Sequence, residues 1–256
     1  MKYFIKFGYD GSKYTGFQRG NGSRSIEDAI MTVLSESGLP SEIQSAARTD
    51  KGVSASGNVF SITSEEKPEK IIGILNSGID DMFFHSYAVV NDDFNVRHNR
   101  QKHYRYTLFG NEPVLSLAAG TLKKFEGKHD FTNFSRRDSR NPLRTIDRID
   151  CEIEGSLLRI DIYGKSFVWN QIRSMVEFSR FNASRGIIVD DPFSIEKKFP
   201  FLADPEPLVL MDIEYDGLTF RKGHSASKIK AMSRRLEQAE IEKRNLEILL
   251  SMKKET

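Results

Sequence analysis

The segment SAARTDKGVSASG, residues 45–57, places an arginine, an aspartate and a glycine within five positions. Asp50 could act as a nucleophile, and the neighbouring cation Arg48 would keep its carboxylate ionised. The small residues on both sides would let a ligand approach the backbone closely. The letters RTD alone favour the alternative of a surface pair, because most neighbouring Arg–Asp pairs are solvated or form turns. The whole segment makes Asp50 a candidate nucleophile.

A second segment, KHYRYTLFG at residues 102–110, alternates aromatic and cationic side chains. On a strand, Tyr104 and Tyr106 would share one face, and His103 and Arg105 would share the other. An aromatic face flanked by cations suits the stacking of an unstacked nucleic-acid base. A core strand with two aromatic residues explains the pattern equally well.

Cationic side chains recur later in the chain. The spacing in GKSFVWNQIRSMV, residues 164–176, predicts a helix over residues 166–179. On that helix Arg173 would share a face with Trp169, four residues earlier, unless it is an ordinary surface arginine. A group of arginines could contact phosphates or form a solvated loop. Its members are Arg136, Arg137, Arg140, Arg144 and Arg148.

The composition limits the class of protein. The chain has 256 residues, of which 38% are hydrophobic and 29% charged, and its formal net charge is +2. These values are typical of a soluble globular protein, and the charge does not single out nucleic acid as a partner. The single cysteine, Cys151, excludes an internal disulfide framework and a cysteine-rich zinc site. No apolar run approaches the roughly 18 residues of a membrane-spanning helix, so we expect a cytoplasmic protein.

The predicted strands and helices that must position these side chains do not alternate strictly along the chain, which favours an α+β fold. Ser25 and Asp28 form a capping box that opens a helix. The apolar face of that helix is Ile26, Ala29, Ile30, Val33 and Leu34. The predicted strands lie near residues 2–8, 57–63, 83–90, 103–109, 149–153, 158–162 and 209–215.

The tail from about residue 224 carries an apolar stripe at 3-4 spacing with one lysine on it. Its positions are Ile229, Met232, Leu236, Ala239, Lys243, Leu246 and Leu250. We favour a long terminal helix that packs on its own domain, because the heptads are few. A dimer-forming or partner-binding helix is the alternative.

Taken together, the motifs resemble those of the TruA-type tRNA pseudouridine synthases. The matching segments occur in family order over roughly residues 3–216. They are YDGSKYTGFQR (9–19), ARTDKGV (47–53), DFNVRHNRQKHYRYTL (93–108), GKHDFTNFS (127–135), SFVWNQIRSMV (166–176) and PLVLMDIEY (207–215). The combination of RTDxGV with YRY is highly specific, whereas each segment alone is weak.

The resemblance implies an isomerase that converts uridine to pseudouridine on the 3′ side of the tRNA anticodon stem-loop, at tRNA positions 38–40. It implies no cofactor, no metal, no DNA or membrane partner, and a cytoplasmic homodimer. The implied fold is two ferredoxin-like (RRM-like) subdomains, residues 1–96 and 97–217, whose antiparallel sheets meet across a basic cleft. Residues 218–256 would form a charged C-terminal helical extension.

The resemblance also implies roles for particular residues. Asp50 would be the nucleophile and Arg173 its partner, while Tyr104 would stack on the target uracil and Arg48 would assist base flipping. These roles suit the chemistry, because the base must leave its stack before C6 or C1′ can be attacked, and the sequence does not choose between the two carbons. The further substrate-binding residues that we expect are Arg105, Arg136 and Arg137.

Apart from the charged C-terminal helix, which is not a standard element of the family, two features depart from the family pattern. Ser54 stands where the family usually has a histidine, and residues 169–171 read WNQ where histidine is frequent. The alternatives to a tRNA pseudouridine synthase are therefore a pseudouridine synthase with another RNA target, and a catalytically silent RNA-binding or tRNA chaperone module of the same fold.

Overall fold

The structure of the protein is a computed structural model that describes residues 1–20, 24–136, 141–223 and 226–251. Its strands and helices follow mixed order, which confirms the predicted α+β class. The strands are β1 Lys2–Tyr9, β2 Gln44–Ser45, β3 Ser54–Thr63, β4 Met82–Val90, β5 Gln101–Phe109, β6 Gly127–Asp130, β7 Leu143–Ile146, β8 Arg148–Glu154, β9 Leu157–Gly164, β10 Leu208–Glu214 and β11 Arg221–Lys222. The helices are α1 Ile26–Glu36, α2 Pro68–Gly78, α3 Glu112–Lys123, α4 Gln171–Ala183 and α5 Ala226–Ser251. Within these described ranges, no helix is both apolar enough and long enough to span a membrane.

Nine of the described strands form one sheet in the order β11-β4-β1-β3-β10-β5-β9-β8, with β2 paired to β3. The neighbours are antiparallel except β3 and β10, which run parallel through the pairs Ser54–Val209 and Ala55–Leu210. Strand β10 also pairs with β5, so it joins the two halves of the chain edge to edge. The two sheets implied by the resemblance are therefore continuous with each other.

Helix α1 begins at the predicted capping box. The Ser25 hydroxyl accepts a hydrogen bond from the Asp28 N–H at 3.0 Å and donates to the Asp28 carboxylate at 2.6 Å. These bonds satisfy a helix-end N–H and fix the start of the helix. The predicted apolar face packs into the core, with three residues buried and two partly buried: Ile26, Ile30, Leu34, Ala29 and Val33.

Strand β5 alternates as the sequence predicts. Tyr104 and Tyr106 are buried on one face. On the other face, His103 Nε2 lies 2.5 Å from Asp161 Oδ1, and Arg105 Nε donates to the same oxygen at 2.9 Å. One face of β5 therefore contributes aromatic rings to the interior, and the other carries a charged cluster.

Helix α4 begins later than predicted. The periodicity indicated a helix from residue 166, whereas α4 begins at Gln171. The preceding residue, Asn170, has φ of 67°, and this left-handed conformation does not continue a right-handed helix. Trp169 therefore lies before the helix and does not share a helical face with Arg173, which corrects the prediction.

Helix α5 contacts the rest of the chain near its start. Arg235 approaches the carboxylates of Asp10 and Asp81 at 3.6 Å and 3.7 Å. The buried Lys228 ammonium donates to carbonyl oxygens at the end of α2, where a cation is favourable: Asn76, Ile79 and Asp80. The later apolar residues are exposed: Leu236, Ile241, Leu246, Ile248, Leu249 and Leu250. Helix α5 therefore packs on the rest of the chain, as predicted, only over its first turns.

Candidate active site

The turn that carries Asp50 depends on Gly52. The N–H of Val53 donates to the carbonyl oxygen of Asp50 at 3.2 Å and closes the turn. Gly52 has φ of 87°, a left-handed value that other residues rarely adopt. A Cβ atom at this position would also lie 2.8 Å from Cγ of Pro205. The glycine of the RTD segment therefore permits both the turn and the close approach of Pro205.

A buried polar network lies beneath this turn. The Tyr9 hydroxyl is 2.8 Å from Thr49 Oγ1, and the Asn58 amide donates to Tyr9 at 3.3 Å and to the Ala47 carbonyl at 3.0 Å. The Asn58 side-chain oxygen accepts from the N–H of Val59 at 2.8 Å. Burial raises the pKa of Tyr9, and its hydrogen bonds lower it by less, so the phenol stays neutral. Sequence reasoning missed this network; the polar Asn58 within an apolar strand was its signal.

Two side chains distant in sequence converge on the Asp50 carboxylate. The Trp169 indole N–H donates to Asp50 Oδ1 at 3.0 Å, and Arg173 Nη1 lies 3.5 Å from Asp50 Oδ2. The Arg173 guanidinium is mostly buried and also donates to the carbonyl oxygen of Ala203 at 2.7 Å. The carboxylate side chain remains about one-third exposed, at 32%, so a ligand can reach it. Arg173 thus lies beside Asp50, as the resemblance implied.

A cavity of about 790 Å³ lies in front of this carboxylate, a volume in the range of small-molecule sites. Its lining brings together residues that the sequence singled out: Arg48, Asp50, Tyr104, Arg136 and Arg173. These residues come from both halves of the chain. The cavity lies where β3 and β10 join the halves, since Val53, which directly precedes β3, and Leu208, the first residue of β10, also line it.

Tyr104 forms an aromatic part of the cavity wall. Its ring meets the edge of Phe167 at a centroid distance of 5.3 Å, and 9% of the residue surface is exposed. Burial, followed by the nearby Tyr9 and Asp50, raises the pKa of the Tyr104 hydroxyl above its usual value. The phenol is therefore neutral at physiological pH. A neutral aromatic ring in the cavity wall is suited to contact a base.

Two predicted arginines lie at more exposed parts of the cavity. Arg48 is exposed and donates to the side-chain oxygen of Gln18 at 3.3 Å. Arg136 places its guanidinium 4.1 Å from the centre of the Trp169 ring, and its backbone N–H donates to the Trp169 carbonyl at 2.9 Å. Both cations can reach toward a bound anion.

Other predicted substrate contacts are not brought to this cavity. Arg105 lies on the opposite face of β5 and makes two hydrogen bonds to Asp161, at 2.9 Å and 3.1 Å. The Arg148 guanidinium stacks on Tyr163, 4.3 Å from the centre of the ring. Arg144 donates to the backbone carbonyls of Asn141 and Leu143. The remaining predicted arginines lie outside the described residues: Arg137 and Arg140.

Ser54, which replaces the histidine expected from the family pattern, has a structural contact. Its hydroxyl accepts a hydrogen bond from the N–H of Gly11 at 3.0 Å. The backbones are very close here, because a Cβ atom on Gly11 would lie 2.1 Å from the carbonyl oxygen of Val53. Ser54 therefore ties the loop after β1 to the segment that carries Asp50.

Comparison with known proteins places this architecture in a family. Residues 121–216 match the family model described as tRNA pseudouridine synthase. The tRNA pseudouridine synthase A of Picrophilus torridus is 49% identical over 222 residues, which cover 87% of this chain and 85% of the relative. The enzyme of the same name from Thermoplasma acidophilum is 47% identical over 220 residues, covering 86% of each chain. One solved structure, an archaeal box H/ACA sRNP Nop10-Cbf5 complex, aligns at 13% identity with a TM-score of 0.37 over 70% of this chain and 42% of that one, which is too weak to inform the fold.

The extent and identity of the curated matches settle the family. The chain belongs to the TruA-type tRNA pseudouridine synthases. It is an isomerase of the class that converts uridine to pseudouridine.

Proposed function

We propose that this protein isomerises uridine to pseudouridine in tRNA, on the 3′ side of the anticodon stem-loop at tRNA positions 38–40, with Asp50 as the nucleophile. The observation that carries the proposal is the Asp50 carboxylate at a cavity of about 790 Å³, with the Arg173 cation 3.5 Å away. The cation attracts the carboxylate from one side, while the exposed part of the carboxylate can meet the substrate.

The surrounding residues support each step of this chemistry. A uridine within a stem is inaccessible, so the base must leave its stack and enter the cavity. In this proposal Arg48 fills the position that the base vacates and Tyr104 contacts the uracil, and both residues line the cavity. The raised pKa of the Tyr104 hydroxyl keeps it protonated. This favours contact with the uracil over a role as the general base of the resting enzyme.

The isomerisation rearranges bonds within the uracil and the ribose, with the Asp50 carboxylate as the attacking group and a general base for the C5 proton. Asp50 forms a bond to C6 of the uracil or to C1′ of the ribose, and the bond between N1 and C1′ breaks. The uracil rotates, C5 bonds to C1′, and the bond to the Asp50 carboxylate breaks. A general base removes the C5 proton and N1 takes up a proton, so that the product is an isomer of the substrate. The cavity residues are compatible with both points of attack, and neither route requires a cofactor.

We also propose the two ferredoxin-like subdomains, residues 1–96 and 97–217, followed by the extension 218–256. The strand order β4-β1-β3-β2 in the first half and β10-β5-β9-β8 in the second supports this division. Of the four strands that each half contributes to the large sheet, the first and the third in chain order thus lie at the centre. The cytoplasmic location and the homodimer stay predictions. A measurement of the molar mass in solution would test the homodimer.

Release of tritium from tRNA that carries uridine labelled at C5 tests the proposed reaction. The wild type and Asp50→Asn, a variant of nearly unchanged shape, are compared on transcripts with each uridine of the anticodon arm replaced in turn by cytidine. We expect release by the wild type only, lost when the target uridine is replaced, and tRNA affinity retained by the variant.

Each contrary result has its own meaning. Undiminished release by Asp50→Asn would assign the chemistry to another residue. Release that persists without uridine at positions 38–40 would redirect the proposal to another site. No release by either protein, with tRNA still bound, would favour the silent RNA-binding module.

A further inference from the structure

Trp169 is the single tryptophan of the chain and lines the cavity with 38% of its surface exposed. Its indole N–H donates to Asp50 Oδ1 at 3.0 Å, across 119 positions of sequence. The other carboxylate oxygen faces Arg173 at 3.5 Å. The two oxygens of the carboxylate therefore have different partners, one a neutral donor and one a cation.

The two partners act differently because of their distances. A contact of 3.0 Å is an ordinary hydrogen bond, whose energy falls steeply when the donor and acceptor are misaligned. A separation of 3.5 Å is an ion pair beyond the usual hydrogen-bond distance, and its attraction changes slowly with orientation. The cation therefore attracts the carboxylate with little directional preference, whereas the indole fixes the rotation of the carboxylate.

The indole itself is held in place by its surroundings. The Arg136 guanidinium stacks 4.1 Å from the ring centre, and the Arg136 N–H donates to the Trp169 carbonyl at 2.9 Å. On either side, Gln171 accepts a hydrogen bond from the Val168 N–H at 2.9 Å, and Asn170 adopts its left-handed φ of 67°. A non-glycine residue held in this conformation indicates that the local structure defines the backbone closely.

We propose that Trp169 is a positioning residue that orients the Asp50 carboxylate for attack, with Arg136 fixing the indole. The inference rests on the proposed function, in which Asp50 is the nucleophile. Correct orientation of a nucleophile contributes to the rate of the chemical step and not to the binding of the substrate. Loss of the indole donor should therefore change the rate of reaction at saturation and leave tRNA affinity unchanged.

Two changes at position 169 separate the hydrogen bond from the ring. Trp169→Phe keeps an aromatic surface for Arg136 and removes the donor. Site-specific incorporation of benzothienylalanine replaces the indole N–H by sulfur in a ring of nearly the same shape, so it tests the donor even if the Phe variant folds poorly. Tryptophan inserted by the same suppression method is the matched control.

Single-turnover rates with enzyme in excess, and tRNA dissociation constants by filter binding, are measured for all forms together with Asp50→Asn. We expect both changes at position 169 to lower the single-turnover rate by about 10- to 100-fold, the effect of one hydrogen bond to a charged group. The dissociation constant should stay within about twofold, because the cations at the cavity still supply the phosphate contacts.

Three results would overturn the inference. A benzothienyl form as fast as the control, with Asp50→Asn inactive, would remove the hydrogen bond from the mechanism and leave the proposed function intact. A parallel loss of rate and affinity would make Trp169 a substrate contact. Full activity of Asp50→Asn would reject the proposed function, and the positioning role with it.

Discussion

The residues around Asp50 contribute in different ways to the position and the surroundings of its carboxylate. Arg173 supplies the positive charge, Trp169 supplies a directional hydrogen bond, and Gly52 permits the backbone turn. The turn rests in addition on Thr49, whose hydroxyl meets Tyr9 within the buried network. Because an unpaired polar group in this network would be costly, the network defines one position for the turn.

Asn58→Ala should lower both stability and activity. The change removes the Asn58 partner of the Ala47 carbonyl and of the Val59 N–H and leaves the Tyr9 hydroxyl with Thr49 alone, at a cost of about 1–3 kcal/mol for each group that is left unsatisfied and that water cannot reach. Thermal unfolding should therefore begin at a lower temperature. The single-turnover rate should also fall at temperatures where the variant is fully folded, because the Asp50 turn has lost its support.

The matched control for Asn58→Ala is Asn76→Ala. Asn76 is also buried and bonds the backbone of Phe84 through both side-chain atoms, at 2.8 Å and 2.9 Å, but it does not line the cavity. We expect a similar loss of stability with an unchanged rate. Equal effects of the two changes on the rate would contradict a positioning role for the network.

At the scale of elements, β5 shows how one strand serves two purposes. Its inner face contributes Tyr104 to the cavity, and its outer face joins β9 through the cluster of His103, Arg105 and Asp161. Burial acts to raise the pKa of Asp161, but hydrogen bonds from Arg105 and His103 outweigh it, so the pKa lies below its usual value. The cluster therefore links β5 to β9 on the face of β5 opposite the cavity.

The pKa of Asp161 predicts acid-sensitive stability. A carboxyl pKa that is lower in the folded than in the unfolded state stabilises the fold above the unfolded value of about 3.9 and loses this contribution as the pH falls through the folded value. The free energy of unfolding, measured by urea denaturation between about pH 5 and pH 2, should fall for this reason.

Asp161→Asn isolates this contribution. The variant should be less stable than the wild type at pH 6, and the difference should shrink as the pH falls below about 4. Asp150→Asn, which removes a half-exposed partner of Arg148 on the adjacent strand, is the control and should change stability little. A difference between wild type and Asp161→Asn that is constant with pH would contradict the assignment.

At the scale of the whole molecule, the site belongs to neither half alone. Asp50 and Arg48 come from the first half of the chain, and Tyr104, Trp169 and Arg173 from the second. The halves meet where β3 and β10 pair in parallel and where Pro205 approaches Gly52. The geometry of the active site therefore depends on how these two segments pack.

Gly52→Ala tests this junction. The added Cβ would lie 2.8 Å from Pro205 on a backbone with φ of 87°, so the turn or the junction must shift. We expect a loss of about 1–3 kcal/mol in the free energy of unfolding and a clear fall in the rate of tritium release. The two measurements are urea denaturation and single-turnover kinetics.

Gly73→Ala is the comparison for this change. Gly73 lies inside α2, and a Cβ there meets nothing within 4 Å. The same substitution should stabilise the protein by about 0.5–1 kcal/mol, because alanine is the better helix former, and should leave the rate unchanged. A Gly52→Ala variant that behaves like Gly73→Ala would contradict the packing at the junction.

Local sequence predicted the elements well where neighbouring residues decide the conformation. The capping box at Ser25, the alternation in β5 and the α+β class follow from contacts within a few positions. Helix α4 was predicted five residues too early, because the apolar spacing continues through a segment that the left-handed Asn170 separates from the helix. Periodicity carries no information about such a single backbone angle.

The sequence by itself thus determined the family motifs, the candidate nucleophile and the side chains of the aromatic strand, since each is encoded in a short segment. Only the tertiary structure decided that Trp169 donates to Asp50, that Asn58 supports the turn, and that one continuous sheet joins the halves. The reason is physical, because these contacts join atoms that lie far apart along the chain. They form only when the pairing of β3 with β10 and the burial of the core offset the chain entropy that is lost on closing the intervening segments.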